Sequence, residues 1–116
     1  MYTVLHNSRC GKSRDAIKVM EEAAVEFEVR EYLKDELTFD ELKNVVAKLK
    51  VSPIEIVRTN EPIWKEQFKG NDYTDDELIS IMIENPKLIQ RPIVIKDGVG
   101  VIGRPVENII DFIQNK

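Results

Sequence analysis

The sequence predicts an α/β protein built on a mixed four-stranded sheet, a βαβ half followed by a ββα half, with a helical segment inserted between them at about 38–86. Three observations predict it. Two short β-rich segments near the N-terminus flank one amphipathic stretch, three capping-box spacings crowd the middle of the chain, and an Asp-Gly hairpin followed by an amphipathic stretch closes it. Leu, Ile, Val and Phe make up 37 of the 116 residues, enough to bury a core, and no repeat, linker or low-complexity stretch interrupts them, so 1–116 reads as one domain.

Tyr2-Thr3-Val4-Leu5 is β-branched and aromatic and runs at once into the polar His6-Asn7-Ser8-Arg9, as a short buried strand entering a loop does. From Ala16 onward, the apolar positions Ala16, Ile17, Met20, Ala23 and Ala24 share one helical face. Phe27 to Tyr32 alternates apolar and charged residues, and a return through one helix makes the two strands parallel. In the middle, Thr38 with Glu41, Ser52 with Glu55, and Thr74 with Glu77 predict three helix starts. The first helix carries Leu42, Val45, Val46 and Leu49, the second opens with Pro53, and the third carries Leu78, Ile81 and Met82 and stops before Pro86. A shorter helical piece is placed at Pro62 to Phe68. Ile93–Lys96 meets Val99–Ile102 across Asp97-Gly98, and Pro105 opens a last helix with Val106, Ile109, Ile110 and Ile113 on one face. This is the element order of a thioredoxin-like domain.

Composition narrows the chemistry. One cysteine forbids an internal disulfide, and with one histidine it cannot supply a Cys/His zinc site, so no metal is expected. Seventeen basic against 21 acidic side chains give a net charge of −4 without a basic stripe, which argues against nucleic-acid binding. Met1 to His6 lacks a charged leader with a long apolar stretch, and Ile93-Val94-Ile95 is far too short to span a bilayer. The expectation is a cytoplasmic monomer with no membrane contact.

Cys10 stands between a strand end and a helix start, and Arg9, Lys12 and Arg14 surround it without an acidic residue between His6 and Arg14. A helix N-terminus and nearby cations both favour the thiolate, which is the nucleophilic form. Gly11, Lys12 and Ser13 follow as first-turn donors, and the Ser13 hydroxyl is a candidate donor to the sulfur. Gly11-Lys12-Ser13 resembles the end of a phosphate-binding P-loop, but the first glycine of that motif falls on His6. A phosphatase-type loop closes on an arginine that here falls on Ala16, and a dithiol motif needs a cysteine where Ser13 stands.

His6-Asn7-Ser8-Arg9-Cys10-Gly11-Lys12-Ser13-Arg14, with Arg58, Arg91-Pro92-Ile93-Val94 and Gly103-Arg104-Pro105, resembles the glutaredoxin-dependent arsenate reductase family in order and spacing over essentially the whole chain. The resemblance implies Cys10 as the nucleophile on arsenate, Arg58, Arg91 and Arg104 as oxyanion ligands, and His6 and Ser13 as tuners of the thiolate. It also implies a cis Pro92 facing the thiol and no bound cofactor. Glutathione would be the co-substrate, and glutaredoxin the partner in releasing arsenite. Planar guanidinium groups suit a tetrahedral dianion independently of that resemblance, because they form bidentate, charge-assisted hydrogen bonds. Ser8 departs from the family, which usually has proline there. The same superfamily includes a transcriptional regulator that binds RNA polymerase and glutathione-dependent thiol reductases. The regulator's two-cysteine switch is missing because of Ser13.

Overall fold

In the computed structural model, which describes residues 1–114, the chain folds into two compact units: Met1–Asp35 with the chain from Arg91 on, and Glu36–Gln90. The helical middle is thus a unit of its own, slightly wider than the 38–86 expected from the capping signals.

The first unit contains strands β1 (Tyr2–His6), β2 (Phe27–Glu31), β3 (Ile93–Lys96) and β4 (Val99–Ile102), with helix α1 (Gly11–Glu22) between β1 and β2. Sheet order is β2-β1-β3-β4. β1 pairs parallel with β2, His6 opposite Glu31, and antiparallel with β3, Val4 opposite Val94. β3 and β4 form the expected hairpin, with Lys96 opposite Val99 and Asp97 at a left-handed φ of 55° in the turn. This is the βαβ-then-ββα sheet read from the sequence. Tyr2, Val4, Ala16, Met20, Val94 and Ile109 form the buried cluster that joins sheet and helices. α1 ends earlier than its apolar face suggests, because Ala23 caps it and Ala24 turns left-handed at φ 56°. At the sheet edge, β2 leaves Val29 47 % exposed, so its alternation does not sort into one buried and one wet face.

The last helix of this unit begins at Glu107, two residues after the Pro105 expected from the sequence. Pro105 instead sits in a turn, its carbonyl accepting the Asn108 N–H at 3.0 Å. Helices α2 (Phe39–Leu49), α3 (Pro62–Gln67) and α4 (Asp75–Glu84) belong to the second unit, and the last helix, Glu107–Gln114, is α5. Thr38 and Thr74 each make the reciprocal bonds of a capping box, and Glu55 closes back on the Ser52 N–H at 2.7 Å. The Ser52 box, however, opens a four-residue 3₁₀ turn, Pro53–Ile56, where a helix was expected. Beyond Ile56 the backbone is drawn into pairing. Val57 bridges Ile89, the Arg58 N–H donates to Leu88 O at 2.7 Å, and the Gln90 N–H donates to Ile56 O at 2.8 Å. Those bonds compete with further helix and end it. Among the described residues no helix is long and apolar enough to cross a membrane.

Candidate thiolate site

Cys10 is the N-cap residue of α1, with extended backbone (φ −99°, ψ 123°), and its carbonyl accepts the Arg14 N–H at 3.0 Å. No side chain closes this helix start, and its first turn has no acidic residue. The loop before it is tied down locally. The Asn7 carbonyl accepts the Cys10 N–H at 2.9 Å, the Asn7 side chain accepts the Arg9 N–H at 3.0 Å, and Arg14 Nη1 donates to Ser8 O at 3.0 Å. Ser8, where the family pattern has proline, donates from its hydroxyl to Glu31 at 2.6 Å, so hydrogen bonds hold the loop that a pyrrolidine ring would otherwise stiffen.

The thiol is half-buried and in no disulfide. Partial burial pushes its pKa up, but the backbone amides of Ser13 and Lys12 and the Arg91 guanidinium pull it down, and the balance lies below the ordinary thiol value. Arg104 approaches from the loop after β4: its Nη2 donates to Cys10 Sγ at 3.3 Å while its Nε donates to the Arg91 carbonyl at 2.7 Å. One guanidinium therefore touches both the sulfur and the backbone of the second arginine. The Arg91–Pro92 peptide is cis, as the resemblance implied, and Arg104–Pro105 is cis as well, which the sequence did not reveal.

The two expected tuners behave differently from the expectation. Ser13 is fully buried, but its hydroxyl accepts the Asn7 N–H at 3.3 Å; its backbone amide, not the hydroxyl, acts on the thiol. His6, at the end of β1, is buried, and that burial holds its pKa below 6.5 against the opposing pull of Glu31. A neutral imidazole at pH 7 brings no positive charge to a thiolate.

Tyr32 is a member of the site that sequence reasoning missed. It is 1 % exposed, and burial raises its phenol to about 12, against the lowering influence of Arg91, with which it hydrogen-bonds. The signal was available: the ends of two parallel neighbouring strands lie at one edge of a sheet, so the residue after Glu31 falls beside the loop after His6. Arg58 belongs to the second unit, where it pairs with Glu61 at 3.7 Å.

A single thiol at an open helix N-terminus, with Arg91 and Arg104 beside it and a cis Arg91–Pro92 peptide before β3 of the four-stranded sheet, defines a thioredoxin-like domain of the one-cysteine kind. The ArsC family profile matches residues 5–112. The chain is 36 % identical to an arsenate reductase of Neisseria meningitidis, over 91 % of this chain and 92 % of that protein. It is 35 % identical to the uncharacterized protein YfgD of Escherichia coli, over 95 % and 94 %. An arsenate reductase structure from Vibrio cholerae superposes with a TM-score of 0.89 at 33 % identity, covering 95 % of each chain. The chain belongs to the ArsC family.

Proposed function

We propose that this protein is a cytoplasmic arsenate reductase in which Cys10 is the only redox residue. The observation that carries the reading is the contact of Arg104 with both Cys10 Sγ and the Arg91 carbonyl, which holds two guanidinium-bearing residues around one activated sulfur. Arg91 and Arg104 serve as oxyanion ligands, and Arg58 supplies a third guanidinium by the family pattern of the sequence. Cys10 Sγ attacks arsenic, and one arsenate oxygen leaves as water after protonation, which forms a thioarsenate adduct without a redox change. Glutathione thiolate then captures the adduct, displacing a second arsenate oxygen as water, still as As(V). A glutaredoxin thiol attacks the glutathione sulfur, forming a glutaredoxin–glutathione disulfide; the S–As electron pair passes to arsenic, which becomes As(III), and hydrolysis of the remaining Cys10–As bond releases arsenite and restores Cys10. A chain with one cysteine requires this division of labour, since two electrons must come from two thiols outside Cys10.

Purified protein with arsenate, glutathione, glutaredoxin and its reducing system is expected to turn over and to stop on Cys10→Ser. Absence of turnover in the unsubstituted protein under those conditions overturns the reading.

A further inference from the structure

Arg104 reaches the sulfur only if the loop between β4 and α5 holds its backbone in place, because a long, rotamer-rich side chain makes a 3.3 Å contact reliably only from a fixed base. That loop is gripped at three points. The Gly103 N–H donates to the Pro92 carbonyl at 2.8 Å. A Cβ on Gly103 would lie 2.6 Å from Ile109 Cδ1 and 2.8 Å from Pro92 Cγ, so the backbone is packed as close as glycine allows. The third grip is a side chain: Asn108 Nδ2 donates to the Ile102 carbonyl and to the Arg104 carbonyl, both at 3.1 Å.

We infer that Asn108 is a positioning residue for the thiolate site, its side-chain amide clamping the backbone on both sides of Gly103 so that Arg104 stays against Cys10. Two carbonyls converge on one nitrogen, and only an amide –NH₂ supplies two donors there; the amide oxygen in the same place would face two acceptors. The clamp lies in the first turn of α5, so helix and arginine loop are joined by a single side chain. Asn108 itself grips only backbone carbonyls. Asn108 acts through Arg104, and the expected consequence is seen at the sulfur. The inference rests on the thiolate site of the reading above, but it is tested without arsenate, so a failure to reduce arsenate leaves it standing.

The test is the pH dependence of Cys10 alkylation by iodoacetamide in the intact protein, in a double-mutant cycle of Asn108→Ala and Arg104→Ala, with thermal melts alongside. Asn108→Ala is expected to raise the alkylation midpoint by about one pH unit, roughly a tenfold loss of thiolate at a fixed pH well below it. It should have no further effect in the Arg104→Ala background, although any loss of melting temperature persists there. Should the alanine variant not fold, Asn108→Asp preserves shape and suits a helix first turn. Its direct charge effect survives without Arg104 and so drops out of the comparison. An unchanged midpoint in Asn108→Ala while Arg104→Ala raises it overturns the clamp and leaves the site intact. Equal shifts with and without Arg104 also overturn it. An unmoved midpoint in Arg104→Ala also overturns the clamp and leaves the site intact, because the Ser13 and Lys12 amides and Arg91 then hold the thiol pKa down without Arg104.

Discussion

The two units treat the same element, a helix N-terminus, in opposite ways. In the unit Glu36–Gln90, α2 and α4 are closed by Thr-and-Glu capping boxes, with Asp40 and Glu41 or Asp75, Asp76 and Glu77 in their first turns. In the other unit, α1 opens on Cys10 with no side-chain cap and no first-turn acid. Closed ends stabilise a helix, each cap by about 1 kcal/mol, whereas an open end leaves amides and dipole directed at whatever negative charge stands there. In α1 the group that stands there is the Cys10 thiol, whose pKa is held below the ordinary value. Net charge divides the same way. The helical unit has seven basic and eleven acidic side chains, which is the whole of the −4, while the unit with the cysteine has ten of each. The acidity of the chain as a whole therefore says nothing about its reactive end.

The contrast can be broken from either side. The largest effect is expected from Arg91→Ala, which should lower arsenate turnover by about 100-fold or more while slowing thiol exchange at Cys10 with a small disulfide far less, through the lost pull on the thiol pKa alone; parallel rate measurements decide it. Arg58→Ala is expected to do the same if the family pattern extends to the helical unit. Next, Thr38→Ala or Thr74→Ala should each cost about 1 kcal/mol in denaturant unfolding and leave Cys10 alkylation where it was, because those caps serve only their helices. Ser13→Ala should also cost about 1 kcal/mol, from the bond to the Asn7 N–H, yet move the alkylation midpoint little, since the amide and not the hydroxyl acts on the sulfur. The smallest effect concerns His6. Its folded pKa lies below 6.5, so as pH falls below 6.5 the unfolded chain takes up the proton first, and stability declines until the folded value is passed. His6→Gln should flatten that part of a stability–pH curve and leave it unchanged above pH 7.

Much of this was legible in the sequence, and the failures have local physical causes. Apolar periodicity, capping spacings and the Asp97-Gly98 turn report on bonds within a few residues, so the sheet halves and the α2 and α4 starts could be read directly. The Pro53 segment misled because its start signal is genuine, while its end is fixed by pairing of 56–58 with 88–90, some thirty residues away in sequence. Cys10, Arg91 and Arg104 were readable as a motif, and the activation of Cys10 from its flanking cations and helix start alone. Both the amide and the hydroxyl of Ser13 were readable as candidate donors; which of them acts on the sulfur was not, because the hydroxyl is taken up by Asn7 only in the folded loop. Tyr32 escaped for a similar reason: as the last apolar residue of a strand it looks like core until the parallel pairing of β1 and β2 places it beside the thiol loop.

The central claim is that Cys10 is a thiolate held for an oxyanion by an open helix end and two arginines. Alkylation of Cys10 across pH, with and without arsenate, tests it most directly. A midpoint below that of an ordinary thiol measured alongside, with alkylation slowed by arsenate, is the predicted result. A midpoint at or above that value, with a rate indifferent to arsenate, would contradict it.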